Sequence, residues 1–414
     1  MNNPTVRIKG RIENTFRSLR QYNFRIWVAG SLISNIGTWM QRIAQDWLVL
    51  AELTHHSGTS VGVVMALQFG PPILLMPLAG LVVDRVDRRR LLIVTQAAMA
   101  LSALALGLLV ISGHVSLWQV YGFAAWVGCI SAFDSPARQT FVSELVGDRD
   151  LPNAVALNSS SFNGAQLIGP AVAGVLITAV GAGWVFIING LSFIAVIASL
   201  IRMRVDEFHH APGGTAAKGG VLSGLHYIQK RPDLIIALVM LFLVGTYGLN
   251  FSIFVSTMAV TTFHGGAHVY GMLSSMMAIG SVLGALHSAG RSPPRLSVLT
   301  LSAFGFGAVG TIAAVMPNVF SFGILLVALG AMAQLFTTSA NSLVQLSTTP
   351  SMRGRVMAIY IGIFLGCTPF GAPLMGWIAD AFGPRWSLAM GAASGFVAAL
   401  VGAVFCARKG VRSE

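Results

Sequence analysis

Carboxylates are scarce in this sequence: fourteen Asp and Glu stand against twenty-six Lys and Arg, and charged residues make up only 10% of 414 positions. Cysteine is scarcer still. Cys129, Cys367 and Cys406 are odd in number and lie inside apolar runs, which argues against a disulfide framework and a metal site. No G-x-x-x-x-G-K-[ST] phosphate loop occurs, so an ATP-driven pump would need a separate ATPase partner. The nine histidines are scattered, mostly in polar links, and no nucleophile sits with a base, so an enzyme is not expected and neither is a cofactor.

Apolar sequence is abundant. Hydrophobic residues make up 55% of the chain, glycines number 46, and the mean hydropathy is +0.74. A membrane-spanning helix needs about 20 mainly apolar residues, because its backbone must be satisfied without water. Twelve such runs occur, centred near Ser34, Phe69, Ser102, Gly128, Gly169, Ile194, Thr246, Ala278, Gly307, Gly330, Thr368 and Ser394. Residues 1–25 are polar and basic with no apolar core of a signal peptide, so the amino terminus is expected to be retained.

The formal charge of +12 raises the possibility of nucleic acid, but the distribution of Lys and Arg over twelve spans argues against it. The amino-terminal segment, the links after spans 2, 4, 6, 8 and 10, and the tail hold all of them except Arg42 and Arg385. Positive residues beside span ends stay in the cytoplasm, which predicts a multi-pass protein of the cell membrane with both termini inside. Anionic membrane lipid is the expected partner of these charges.

One long polar stretch, residues 203–231, divides the chain. The expected organisation is an amino-terminal six-helix bundle (1–202), a central cytoplasmic loop (203–231) and a second six-helix bundle with a short tail (232–414). A shift of 202 residues lays Gly169 over Gly371, Gly174 over Gly376, Ala179 over Ala381, Gly181 over Gly383 and Trp184 over Trp386. Matched turn glycines followed by a matched tryptophan indicate duplicated halves. Two like-oriented halves imply an axis along the membrane normal, with a substrate site at their interface reached by rocking.

Six of the seven positions from Asp84 to Arg90 are ionisable, within the stretch GLVVDRVDRRRLL. Together with GTWMQRIAQDWLVLAELT, DSPARQTFVSELVGDRDLPNAVALN and FNGAQLIGPAVAG, this stretch resembles the major facilitator superfamily, in the branch containing the enterobactin exporter and macrolide efflux proteins. Gly80, Asp84, Arg85, Arg88 and Arg89 occupy the Gly, Asp and basic positions of its motif A. Asp87 stands where Gly is usual, so a left-handed backbone is expected there. The resemblance implies an all-α membrane protein of twelve transmembrane helices in two pseudo-symmetric six-helix bundles. It also implies that the cluster latches the cytoplasmic side shut in the outward-facing state. Asp84 is placed to accept hydrogen bonds at the positive start of span 11, near Arg353 to Met357, with Arg138 as its ionic partner. The matching link of the second half, Gly284 to Arg295, has no carboxylate, so the latch is asymmetric. The alternative is that Asp84 to Arg90 serves only as a topology signal.

In span 1, Asn35, Trp39, Arg42 and Asp46 recur at spacings of four, three and four, and so share one helical face. Charges inside a span are costly and face a cavity or each other. Two readings follow: Asp46 is a protonation site exchanging with the outside while Arg42 holds it ionised, or the two form a fixed ion pair at the outer gate. Span 5 contains Gly164, Gly169, Pro170 and Gly174, which predict a kink near Gln166 and close helix packing. That pattern resembles motif C of proton-coupled antiporters, with Ala173 replacing one glycine. Asn35, Trp39, Gln68, Asn163, Gln166, Tyr247, Asn250, Phe251 and Gln334 are candidates to line a cavity, or else to join helices by hydrogen bonds. A largely apolar pocket with a few polar groups suits a bulky amphipathic ligand. The resemblance then implies a proton-coupled exporter of a small molecule of drug or siderophore type. An uptake symporter and a transport-inactive receptor of the same fold are the alternatives.

Overall fold

The computed structural model describes residues 16–147, 149–209, 221–289 and 296–411. Arg7, Lys9, Arg11, Lys218, Arg291, Arg295 and Arg412, with the side chains of Arg408 and Lys409, lie outside the described residues. Twelve long helices carry the fold among the described residues: α1 (Tyr22–Trp47), α2 (Gly58–Arg85), α3 (Arg88–Ile111), α4 (Leu117–Leu145), α5 (Leu151–Val180), α6 (Ala182–Arg202), α7 (Pro232–Thr262), α8 (Ala267–Ala289), α9 (Leu296–Ala314), α10 (Val319–Ser347), α11 (Pro350–Phe382) and α12 (Pro384–Val411). Ten of them are long and apolar enough to cross a membrane. The two below that threshold, α1 and α4, carry Arg42 and Asp46 and Asp134, Arg138 and Glu144, respectively.

Local chemistry sets the helix boundaries. Ser57 caps α2 by accepting from the Ser60 N–H, and Ser116 and Gln119 form a reciprocal capping box at the start of α4. Asp87 corrects the left-handed expectation: its φ is −55°, and its carboxylate caps α3 by accepting from the Arg90 N–H at 2.8 Å. An aspartate is favoured there because it satisfies a free donor at the helix start. Gly181 and Gly383, aligned by the 202-residue shift, both adopt left-handed φ, +90° and +96°, in the turns that lead to α6 and α12. The corresponding helices α1 and α7 both widen into π-type turns, at Leu48–Leu53, Val244–Gly248 and Met258–Thr262.

Packing repeats between the halves. Helix α2 packs on α4 as α8 packs on α10, α3 on α6 as α9 on α12, and α1 on α5 as α7 on α11. The halves meet along two further related seams, α2 with α11 and α5 with α8. Both contain close backbone approaches. At the end where α2 begins and α11 finishes, hereafter the far end, a Cβ on Gly376 would lie 2.2 Å from the Gly58 carbonyl oxygen, so two helix backbones touch there. On the second seam the Ser275 hydroxyl donates to the Leu167 carbonyl at 3.0 Å. At the opposite end, which carries Arg85, Arg88, Arg353 and Arg355 and is called the basic end, a Cβ on Gly80 or Gly354 would meet nothing within 4 Å, and the same holds for Gly362 and Gly366 as far as the middle of α11. The helix pair is therefore splayed, closed at the far end and open at the basic end.

The surface helix Val221–Gln229 leads into α7 at the basic end. The Tyr227 hydroxyl accepts from the Thr349 N–H at 3.4 Å, a contact that holds it below the usual tyrosine range. Arg231 grips Asp233 through two nitrogens at 3.0 and 2.7 Å, and that contact raises the guanidinium above its ordinary value.

Within the second half, a Cβ on Gly280 would sit 1.9 Å from the Val327 carbonyl oxygen, while position 362 faces open space. Gly280→Leu is expected to cost about 1–3 kcal/mol through overpacking and to lower the unfolding midpoint of the purified protein. Gly362→Ala should leave the midpoint unchanged or raise it.

Candidate binding cavity

Two adjoining cavities lie between the halves. The larger, about 620 Å³, is lined by α1, α2, α3, α4, α6 and α11 and extends to Gly80 at the basic end. Its polar lining includes Gln41, Arg42, Gln68, Ser135, Gln139 and Asn189, and Phe69, Phe193 and Phe364 supply aromatic surface. The smaller, about 220 Å³, reaches α5, α7 and α8 and is lined by Trp39, Arg42, Asp46, Gln68, Gln166, Phe251, Ser252 and Tyr270 among others. Arg42, Gln68 and Phe69 line both, so the two spaces share a wall.

Arg42 is held by aromatic faces, its guanidinium carbon 4.6 Å from the Trp39 ring centroid and 5.7 Å from that of Phe69. It forms no ion pair among the described residues. Asp46 instead accepts a 2.7 Å hydrogen bond from the Tyr270 hydroxyl, which belongs to the other half. The fixed Arg42–Asp46 pair is therefore not formed in this state. A buried carboxylate needs a donor, and Tyr270 supplies one across the interface between the halves.

The expected cavity residues divide. Trp39, Gln68, Gln166 and Phe251 line the smaller cavity, as do Arg42 and Asp46. Asn35, Asn163, Tyr247, Asn250 and Gln334 line neither. Local partners occupy two of these: Asn250 donates to the Thr246 carbonyl at 2.7 Å, and Gln334 donates to the Thr338 hydroxyl at 3.1 Å. Of the span-5 residues, Gly169 lies against Trp39, while Pro170 and Gly174 lie against Gly271. Gly164 faces open space. Helix α5 runs unbroken through Pro170. These small residues thus close the α1–α5 and α5–α8 contacts above the smaller cavity.

The motif A residues are apart from α11 in this state. Asp84 is exposed and makes no side-chain hydrogen bond or ion pair among the described residues, and Arg85 beside it is exposed. Arg138 pairs with Asp134 at 2.7 Å, one turn back on its own helix, rather than with Asp84. Asp134 also accepts from the Thr95 hydroxyl and the Gln96 amide, each at 2.7 Å, and so ties α3 to α4. Arg88 bridges to Glu144, and Arg89 donates to the carbonyls of Leu200 and Ile201 at 2.6 and 3.1 Å. The basic residues of the motif therefore brace α3 against α4 and α6.

Sequence reasoning missed Tyr270, Gln41 and Asn189. A tyrosine in an apolar run reads as core, and its partner Asp46 is 224 positions away. Asn189 donates to Gln41 at 2.5 Å across α6 and α1. Periodicity places Gln41 on a helix but does not say what that helix faces.

Duplicated six-helix halves enclosing a cavity that is sealed at one end define a membrane transporter of the major facilitator type. Residues 13–412 match the family model described as "transmembrane secretion effector", and the chain belongs to that family within the superfamily. It is 25% identical over 364 residues to the staphyloferrin A transporter of Staphylococcus aureus, which covers 87% of this chain and 90% of that one. It is 26% identical over 367 residues to the multidrug efflux pump Tap of Mycolicibacterium fortuitum, with 85% and 88% covered. The enterobactin exporter of Citrobacter koseri is 23% identical over 358 residues, with 86% and 84% covered. Two solved structures share the fold. An inward-facing bacterial homologue of the lysosomal transporter Spinster superposes with a TM-score of 0.69 at 15% identity, covering 93% of this chain and 95% of that one. The nucleoside transporter NupG gives 0.69 at 13% identity, with 92% and 98% covered.

Tyr270→Phe removes the 2.7 Å cross-half donor and leaves the Asp46 carboxylate with the Ser252 hydroxyl, which belongs to the same half as Tyr270. A cost of about 2 kcal/mol is expected, read as a lower unfolding midpoint. An unchanged midpoint would mean that Asp46 is satisfied by other groups.

Proposed function

We propose that the protein exports a bulky amphipathic small molecule of drug or siderophore type across the cell membrane, exchanging it for protons by alternating access. The basic end lies in the cytoplasm in this reading, as the retention of positive span-flanking residues requires. The state described is then open to the cytoplasm, and the substrate enters the larger cavity from inside.

The cavity supports that substrate class in size and character. Pockets for drug-sized ligands run to about 300–1,000 Å³ and pair apolar walls with a few placed polar groups, and the larger cavity holds about 620 Å³. Arg42 supplies a charge, Trp39 and Phe69 supply aromatic faces, and Gln68 supplies amide donors and acceptors. The names of the relatives, which refer to two siderophores and to multidrug efflux, point the same way.

The observation that carries the coupling is the Asp46–Tyr270 hydrogen bond, which joins the halves beside the cavity. It exists while the far end is closed. Rocking the halves apart at that end separates Asp46 from Tyr270 and exposes the carboxylate to the outside, where a proton replaces the lost donor. The protonated carboxyl then returns with the far end closed and releases its proton inward. Residues 1–202 and 232–414 move as the two bodies of this cycle, and the Asp84 cluster closes the basic end when the far end opens. Anionic inner-leaflet lipid faces the basic links.

The test is transport in proteoliposomes under an imposed proton gradient, with a panel of dyes, macrolides and catecholate siderophores. Substrate movement against inward proton flow is expected, and Asp46→Asn should abolish its dependence on the gradient. Uptake driven along the proton flow would reverse the direction, and unchanged pH dependence in Asp46→Asn would remove the coupling role. Asp84→Asn should impair transport while leaving membrane insertion intact.

A further inference from the structure

Helices α2 and α11 run antiparallel, and each carries a carboxylate in its last turn: Asp84 in Gly58–Arg85 and Asp380 in Pro350–Phe382. In an antiparallel pair, the last turn of one helix lies beside the first turn of the other. A helix start carries free N–H groups and a positive dipole end, and both favour an anion.

At the far end this arrangement is occupied. One oxygen of Asp380 accepts from the Gly58 N–H at 2.6 Å. The other accepts from the Thr59 N–H at 2.9 Å, from the Thr59 hydroxyl at 2.5 Å and from the Ser57 hydroxyl at 3.1 Å. Ser57 itself serves the next free donor, the Ser60 N–H, at 3.2 Å. The first turn of α2 is thus capped jointly by its own Ser57 and by a carboxylate from the other half. At the basic end the mirrored arrangement is vacant: Thr349 makes no side-chain capping bond at the start of α11, and Asp84 is exposed.

The second seam has no such device. Thr178 stands where the 202-residue shift places the counterpart of Asp380, and its hydroxyl donates to the Gly174 carbonyl of its own helix at 2.8 Å. No carboxylate occurs from Gly284 to Arg295, the last turns of α8 and the link that follows. Both carboxylates are therefore concentrated on the α2–α11 pair, one at each end.

We propose that Asp380 is a far-end latch that holds the described state, and that it alternates with Asp84 as the reciprocal cap of one antiparallel helix pair. The proposal rests on the alternating-access reading above. Splaying the far end pulls the Gly58 and Thr59 donors away from Asp380 while bringing the start of α11 toward Asp84. Each cap is exchanged for water when released, so the latches bias the equilibrium between two states and do not block either one.

The test uses a variant with Cys129, Cys367 and Cys406 replaced by Ser and with Met65→Cys. Met65 lines the smaller cavity beneath the far-end seam. In right-side-out vesicles, a membrane-impermeant maleimide added outside labels this position only when the far end opens. Asp380→Ala should raise the labelling rate about tenfold, the usual effect of losing a helix cap. Asp380→Asn, which keeps one acceptor oxygen, should raise it less, and Thr59→Val, which removes one donor, should also give a smaller rise. Asp84→Asn should lower it. An unchanged rate in both Asp380→Ala and Thr59→Val, or a shift of the same sign in Asp380→Ala and Asp84→Asn, would overturn the proposal. The readout needs neither substrate nor proton gradient, so failure of the latch and failure of proton-coupled export give different results.

Discussion

Two helix backbones in contact at one end and apart at the other organise this molecule. The approach of Gly376 to Gly58 leaves no room for a side chain, and the α5–α8 seam is nearly as close where Gly174 meets Gly271. Rigid helices that touch at one end and diverge from that contact enclose a space that widens toward the other end. The larger cavity, its opening at the basic end and the exposure of Asp84 all follow from that wedge. Small residues provide the contact because helices in lipid associate through packing and hydrogen bonds, with no gain from burying apolar surface.

Polar chemistry is placed sparingly within this frame. Asp46, Arg42 and their neighbours occupy the narrow part of the wedge, where a carboxylate deprived of water takes a tyrosine donor from the opposite half. Asp134, Arg138, Arg88, Arg89 and Glu144 instead tie α3, α4 and α6 into one body. The polar groups thus separate into those that hold a half together and those that join the two halves. Only the second group must break when the halves rock, and the cross-half bonds of Asp46 and Asp380 belong to it.

Much of the architecture was legible in the sequence because the membrane allows few solutions. Each apolar run of sufficient length became a helix, and α1 and α4 kept that form despite their charges. Gly181 and Gly383 were readable as a matched pair, and both adopt a φ that side chains disfavour. The shared face of Trp39, Arg42 and Asp46 was readable from helical spacing, and all three line the smaller cavity. What each face meets was not readable. Asn250 and Gln334 donate within their own helices, Asp87 adopts an ordinary backbone because its side chain caps a helix, and Tyr270 looks like core until Asp46 is beside it. Asp380 stands in the last turn of α11, and its partners lie more than 320 positions away. Periodicity fixes orientation about one helix axis, whereas tertiary pairing depends on the packing of distant helices.

The central claim is that the two ends of the wedge cannot be closed together. Pulsed electron resonance between spin labels at positions 86 and 351 reports the basic end, and labels at positions 56 and 382 report the far end, all four being exposed. As pH is varied or substrate is added, the two distances should change in opposite directions, the far end lengthening as the basic end shortens. Distances that lengthen together, or one that changes while the other stays fixed, would contradict a single rocking motion about a central cavity.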